Sequence, residues 1–320
     1  MQRYQVLLYY KYVHIADPEE LKTKQRALCE ALGLKGRIIV ATEGINGTVE
    51  GTYENTERYV KEMIKDARFS DMNWKKSIGS GHVFPKLSVK NRKEIVSLHL
   101  EDAGFCEIDP NRTTGKHLKA EDLHSWIVEN KVAKQAGLPE PKEFYIIDMR
   151  NAYEFKVGYF EDSILPPLDN FRDLPKYLET ISHLKNKTVV TVCTGGVRCE
   201  KASGFLISQG FTDVYQLENG IVTYMEKYPN EDFLGKLYVF DERIAMGFHT
   251  DDPKHQIVGK CDMCGLQSER YVNCANDVCH RHFVACDACV AEGGGSVKCK
   301  EGCITSRHGE SLKDSGVVLV

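Results

Sequence analysis

Eight of the chain's twelve cysteines lie between Cys261 and Cys303, in a stretch with little hydrophobic periodicity. Such a segment has no continuous apolar face to bury, so its order has to come from the cysteines. Their spacing is Cys261-x2-Cys264-x9-Cys274-x4-Cys279, then Cys286-x2-Cys289-x9-Cys299-x3-Cys303. Close pairs let one turn offer two thiolates to the same ion, and eight thiolates match two tetrahedral zinc sites with four ligands each. Such sites leave no open position, so they are expected to be structural. The preferred pairing is cross-braced, with Cys261, Cys264, Cys286 and Cys289 in one site and Cys274, Cys279, Cys299 and Cys303 in the other. A sequential pairing stays open. His280 and His282 are read as surface residues. Dense cysteine behind an N-terminus unlike a signal peptide points to a reducing compartment, so a cytoplasmic protein is expected. No stretch approaches the roughly 20 apolar residues of a membrane helix, so no membrane contact is expected.

At roughly 100–200 residues per domain, 320 residues suggest two or three domains, and 42% hydrophobic content excludes a wholly disordered chain. Tyr4–His14 (YQVLLYYKYVH) is rich in strand formers. Asp17 is placed as an N-cap and Pro18 as the first residue of a helix that runs to about Leu32 and ends at Gly33. Arg37–Thr42 and Gly47–Glu50 read as a hairpin turning through Glu43, Gly44, Ile45 and Asn46. Tyr53–Ala67 carries a second helical period, and residues 82–100 return to strand. The order β-α-β-β-α-β predicts a ferredoxin-like split-βαβ domain over residues 1–100. Open sheets of this kind often bind RNA, although fold alone does not set function.

Charge is unevenly spread. Residues 1–100 hold 17 Lys and Arg against 12 Asp and Glu, a net +5; the rest holds 25 against 34, a net −9. Lys75, Lys76, Lys86, Lys90, Arg92 and Lys93 crowd together, with Trp74, His82 and Phe84 among them. Cations interleaved with aromatics suit a nucleic acid whose phosphates pair and whose bases stack. The alternative is a solvated hairpin edge on which lysines block aggregation.

Gly104, Pro110, Asn111 and Gly115 mark a connection, and a helix is expected from about Lys119 to Gln135. Residues 101–142 are therefore read as a linker and helix leading into an α/β domain at 143–235. There Phe144–Asp148 (FYIID) and Thr188–Val192 (TVVTV) look like parallel strands covered on both faces. Helices are expected over Asp173–His183, Glu200–Gln209 and about Gly220–Tyr228, and a third strand over Asp213–Gln216. Residues 236–320 form the Cys-rich region, with Gly293–Gly295 as a turn and Gly316–Val320 as a tail that can dock as a strand.

The most specific chemical signal is Cys193-Thr194-Gly195-Gly196-Val197-Arg198-Cys199. It follows the strand TVVTV and precedes a helix, so Cys193 stands at the C-terminal edge of a parallel strand, where α/β folds put their ligands. Free N–H groups at the helix start favour a thiolate. Gly195 and Gly196 let the backbone curl, and Arg198 adds a fixed cation. Thr194, Gly195, Gly196, Val197 and Arg198 thus form an anion-binding loop around a nucleophilic Cys193. Cys199 is either a resolving thiol or a packed residue of the first helical turn. No flavin or nicotinamide motif is present. A Cys-x4-Arg loop is one residue shorter than the Cys-x5-Arg loop of phosphatases, which argues against a phosphate substrate.

The segment Asp148-Met149-Arg150, Tyr153-Glu154 and Gly158, the Cys193 loop, and Gly210-Phe211 through Gly220-Ile221 together resemble the rhodanese family over residues 115–230. In that family the loop cysteine carries a persulfide, and Asp148, Arg150 and Glu154 would form structural ion pairs. With the basic first domain bearing Gly44-Ile45-Asn46-Gly47-Thr48 and the Cys-rich tail, the whole chain is similar to the rhodanese-like tRNA uridine hydroxylases. The resemblance implies an oxygen-dependent conversion of the wobble uridine of tRNA to 5-hydroxyuridine, with molecular oxygen as co-substrate; the charge split then makes the six basic residues the expected tRNA contacts. Two chemical routes are open: Cys193 adds to C6 of the uracil ring and makes C5 nucleophilic, or a Cys193 sulfur–oxygen species delivers the oxygen. The alternatives are a sulfurtransferase carrying persulfide on Cys193 and a non-enzymatic adaptor, which the intact Cys193 argues against.

Overall fold

The protein is described here by a computed structural model, which covers residues 3–279, 281–299 and 303. His280 and the tail Gly316–Val320 lie outside the described residues. The first unit runs β1 (Tyr4–Tyr12), α1 (Pro18–Ala31), β2 (Lys35–Ala41), β3 (Gly44–Thr52), α2 (Tyr53–Met63), β4 (Lys75–Gly79) and β5 (Leu87–Asn91). The sheet order is β4-β1-β3-β2-β5, which is the split-βαβ arrangement with one strand added beside β2. Pro18 opens α1 as its sequence predicts, with Asp17 in the N-cap position although its side chain caps no N–H, and Gly33 leaves the helix with φ +62°.

Three local expectations are corrected. The hairpin turns more tightly, through Thr42 and Glu43, because Gly44 to Asn46 already pair with β2. The closing strand of the split motif is β4, inside the basic cluster. Residues 82–100 hold only the five residues of β5. Their remaining apolar side chains fill a core instead: Ile95, Val96, Leu98 and Leu100 are buried among side chains of the second unit.

That second unit is a parallel sheet in the order β6-β10-β9-β7, made of β6 (Lys116–Leu118), β7 (Phe144–Asp148), β9 (Thr188–Val192) and β10 (Asp213–Leu217). Between β6 and β7 runs α3 (Ala120–Gln135), and β8 (Gly158–Phe160) follows β7. The predicted Asp173–His183 helix is broken into the single turn α4 (Leu174–Tyr177) flanked by 3-10 turns. The helices α5 (Val197–Ser208) and α6 (Gly220–Lys227) flank β10 in sequence. The segment 101–118, read as a linker, ends in β6, whose Lys116–Leu118 pair with Tyr215–Leu217.

The C-terminal unit contains β11 (Phe233–Gly235), β12 (Leu237–Tyr238), β13 (Ala245–Met246), β14 (Tyr271–Asn273), β15 (His282–Val284) and α7 (Asp287–Glu292). β11 pairs with β8, so the tail is tied to the parallel-sheet unit before its cysteines begin. Among the described residues, no helix is long and apolar enough to cross a membrane.

β1 positions the site. Its Leu7 and Tyr9 face the core under α1 and α2. The alternate residues Leu8, Tyr10 and Tyr12 face the second unit. The sheet is therefore not an open platform: its second face is covered by the Cys193 loop and by residues 239–246. The nearly continuous apolar run of Tyr4–Tyr12 is a readable signal of a strand buried on both faces.

Candidate active site at Cys193

Cys193 directly follows β9, and Gly196 caps α5 in the left-handed region with φ +99°. The Gly196 N–H donates to the Cys193 sulfur at 3.2 Å. The loop is held from behind by α6, where the N–H groups of Ile221 and Val222 donate to the carbonyls of Cys193 (2.9 Å) and Thr194 (3.1 Å). Gly220 is needed there, since a Cβ on it would stand 2.7 Å from the Gly195 and Gly196 backbone. In front, a Cβ on Gly195 would come within 2.9 Å of Leu8, and one on Gly196 within 2.9 Å of the Tyr10 hydroxyl. The two glycines thus do more than curl the loop: they let β1 close on it.

Burial of Cys193 opposes its ionisation. The Cys199 thiol, the Arg198 charge and the N–H groups of Cys199 and Gly196 outweigh that penalty and lower its pKa to about 6. Cys199 moves the opposite way. Burial first, then the neighbouring Cys193 sulfur, push its thiol well up, so it remains protonated and donates to the Cys193 thiolate.

Arg198 does not present a free cation. Its Nη1 and Nη2 meet the Glu154 carboxylate at 2.5 and 2.9 Å, and Nη2 reaches the Thr194 hydroxyl at 3.3 Å. Its guanidinium also lies 5.7 Å from the centre of the Phe240 ring. Glu154 therefore pairs with the loop arginine, whereas Asp148 pairs with the fully buried Arg150 (2.6 Å).

Cys193, Thr194, Gly195, Val197 and Arg198 line a cavity of about 90 Å³ between the units. Val6, Leu8 and Tyr10 form one wall, and Val239, Phe240 and Met246 another. A polar cavity of about 540 Å³ adjoins it, and Tyr10 and Lys75 line both. Glu200, one residue past Cys199, sits in the polar cavity. Burial opposes its charge, but hydrogen bonds from His117, Gln216 and Thr114 outweigh this and lower its pKa. Its Oε1 also accepts from the Tyr10 hydroxyl at 3.1 Å. No local sequence pattern marks Tyr10, Glu200 and Phe240 as site residues; packing alone brings them here.

The six basic residues are not brought together. Lys75 and Lys76 lie on β4, while Lys86, Lys90 and Arg92 lie beside or on β5, at the opposite edge of the sheet. Four strand spacings of about 4.8 Å put the two edges roughly 19 Å apart. Lys76 is held by Glu57, and Lys93 by Glu101 and Glu107. Lys86, Lys90 and Arg92 are exposed. Lys75 turns inward, with its ammonium 5.0 Å from the centre of the Tyr10 ring. Burial lowers its pKa to about 8, against the pull of Cys193, Glu200 and Glu218. Of the aromatics, Trp74 packs on Tyr9 and Tyr59, and Phe84 is buried with Val6 and Val83. Neither is a stacking surface, and only His82 is exposed.

The tail cysteines gather into two groups, Cys261, Cys264, Cys286 and Cys289, and Cys274, Cys279, Cys299 and Cys303, with the sulfurs of each within 4.8 Å of one another. This is the cross-braced pairing. Four sulfurs about 2.3 Å from a tetrahedral zinc lie about 3.8 Å apart. The sulfur separations of 3.6 Å (Cys264–Cys286), 3.6 Å (Cys279–Cys299) and 3.8 Å (Cys274–Cys303) fit that geometry. His282 is in neither group; its Nδ1 meets the Tyr238 hydroxyl at 2.7 Å. The unit docks beside the active loop, where the Tyr271 hydroxyl donates to the Tyr153 carbonyl and Lys156 pairs with Asp262 at 2.9 Å.

Comparison with known proteins covers nearly the whole chain. Residues 4–95 match the UPF0176 acylphosphatase like domain, residues 128–227 the rhodanese-like domain, and residues 234–304 the rhodanase C-terminal domain. A tRNA uridine(34) hydroxylase of Cytophaga hutchinsonii is 42% identical over 302 residues, spanning 94% of this chain and 91% of that one. The protein of the same description from Bacillus licheniformis is 45% identical over 294 residues, spanning 88% and 83%. Among solved structures, a rhodanese-like domain protein from Staphylococcus aureus is 27% identical over 34% of this chain and 90% of its own, with a TM-score of 0.27.

Proposed function

This chain belongs to the tRNA uridine(34) hydroxylase family, and we propose that it hydroxylates uridine 34 of tRNA, with the Cys193 thiolate as reacting group and molecular oxygen as co-substrate. The observation that carries this reading is the position of Cys193, whose sulfur accepts from the Gly196 N–H at 3.2 Å in a cavity walled by both the first and second units. A thiolate there adds to C6 of a uracil inserted in the cavity, and the ring then becomes nucleophilic at C5, the carbon that is hydroxylated. Insertion of one atom of O2 at C5 leaves the other to depart as water, which takes two electrons and two protons from a dithiol reductant that ends as a disulfide; loss of the C5 proton then breaks the S–C6 bond, expels the Cys193 thiolate and restores the ring. The loop amides and Arg198 hold the sulfur in its charged form. Exposed Lys86, Lys90 and Arg92 track tRNA phosphates.

The two four-cysteine groups fit zinc by donor set and spacing, and we place one ion in each. A closed four-sulfur site supplies structure and no chemistry. Its role here is to brace Tyr153, next to Glu154, which holds Arg198.

Nucleoside mass spectrometry of tRNA from a deletion strain complemented with wild type or Cys193→Ser tests the reaction. Hydroxylation and replacement of oxygen by sulfur add nearly equal mass. Labelling with 18O2 separates them: label at uridine 34 supports hydroxylation, and an unlabelled sulfur-containing product returns the chain to sulfur transfer.

A further inference from the structure

Four cationic side chains line the Cys193 cavity: Lys75, Lys76, Arg198 and Arg243. Three are neutralised in place. Arg198 is paired with Glu154 (2.5 Å), Arg243 with Asp241 (2.6 Å) and Lys76 with Glu57 (2.5 Å). Among the described residues, Lys75 alone of the four has no ion pair. Lys75 is half-buried, and strand pairing fixes its place in the wall. Lys75 lies opposite Leu8 in the β1–β4 register, and Leu8 is the side chain that packs on Gly195 of the loop. Lys75 and Cys193 therefore line one small cavity, and the Lys75 ammonium lies 5.0 Å from the centre of the Tyr10 ring that lines it too.

We infer that the Lys75 ammonium is the electrophilic partner of Cys193: it holds the 4-carbonyl oxygen of the target uracil and stabilises the charge that forms there when the sulfur adds to C6. The inference rests on the hydroxylase reading above. In the step, a Cys193 lone pair forms the S–C6 bond, the C5–C6 π pair moves to C4–C5, and the C4–O4 π pair moves onto O4. An N–H of Lys75 donates to that oxygen. No electron is gained or lost overall. The enolate can also take a proton from water at C5. Loss of the original C5 hydrogen and expulsion of the thiolate then regenerate uridine with a solvent hydrogen at C5. Addition thus leaves a record that needs no oxygen.

The experiment uses the full-length protein and tRNA carrying [5-3H]uridine at position 34, under argon, with tritium release to water as the readout. Wild type releases tritium. Lys75→Met keeps the side-chain length, removes the charge and breaks no ion pair. At saturating tRNA it should lose about 100-fold in release rate, the scale seen when one oxyanion donor is removed, with tRNA affinity within threefold of wild type. Lys75→Arg restores a cation and should recover the rate to within tenfold. Wild-type release by Lys75→Met overturns the inference, and a loss confined to tRNA affinity overturns it and makes Lys75 a phosphate tether. No release by wild type also overturns it. In that case hydroxylation by the same preparation in air shows whether the hydroxylase reading still stands.

Discussion

The Tyr10 hydroxyl on the first strand stands over the α-carbon of Gly196, so close that a methyl group there would lie 2.9 Å from it. Gly196 also holds φ at +99°, where a side chain is strained in any case. Gly196→Ala should therefore cost about 1–3 kcal/mol and push β1 away from the loop. Its thermal midpoint should fall and its hydroxylation of tRNA should be largely lost, whereas Gly137→Ala, equally left-handed at φ +68° but with open space around its α-carbon, should carry the backbone strain alone and keep hydroxylation. Equal effects of the two substitutions would refute the docking role.

The lowered pKa of Cys193 sets a pH profile. Only the thiolate is alkylated, and it is the main form above about pH 6. Labelling of Cys193 by iodoacetamide, followed by peptide mass spectrometry, should fall about tenfold per pH unit below that value and stay level from pH 7 to 8. A rate still climbing steeply between pH 7 and 8 would indicate an ordinary thiol.

Lys201, on α5, is buried and meets Glu94 at 2.7 Å and Glu43 at 2.8 Å, both from the first unit. Burial raises the pKa of Glu43, and the lysine charge pulls it back. Lys201→Met would leave two carboxylates facing each other without a cation. It should destabilise the fold by about 3–5 kcal/mol, read by denaturant unfolding. Adding Glu43→Gln and Glu94→Gln should recover part of the loss.

The β5 edge should serve affinity and not rate. Combined Lys86→Ala, Lys90→Ala and Arg92→Ala should weaken tRNA binding and lower the slope of log affinity against log salt by about 2, each phosphate contact contributing roughly 0.7–0.9. The rate at saturating tRNA should stay at the wild-type level, since the Cys193 cavity is walled by β1 and the opposite edge strand. An unchanged slope in filter-binding measurements would remove this edge from the tRNA surface.

Protein purified without chelator should carry two zinc ions per chain by elemental analysis. Cys264→Ser should lower that number and loosen the contact of Tyr271 with Tyr153, so Cys193 labelling at neutral pH should slow as Glu154 and Arg198 lose their support. Full labelling rates in a zinc-depleted protein would show that the tail does not brace the loop.

Features that depend only on residues close together in the chain are legible in the amino-acid sequence. Asp17 and Pro18 start a helix through their own backbone preferences, and the Cys-x2-Cys pairs approach one ion because a single turn joins them. The strand Thr188–Val192, the glycines and the helix after them place Cys193 at an electropositive loop by local geometry alone. The remaining features depend on contacts between residues far apart in sequence, for which no local pattern exists. Lys75 and Lys86 are eleven positions apart yet stand at opposite edges of one sheet, because β4 pairs with β1 and β5 with β2. Arg198 reads as a free cation until packing brings Glu154 against it. Whether a charge is spent on a partner or left for a substrate is decided by which surfaces bury each other, and here the docking of β1 on the loop leaves Lys75, among the described residues, without an ion pair in the cavity that Cys193 also lines.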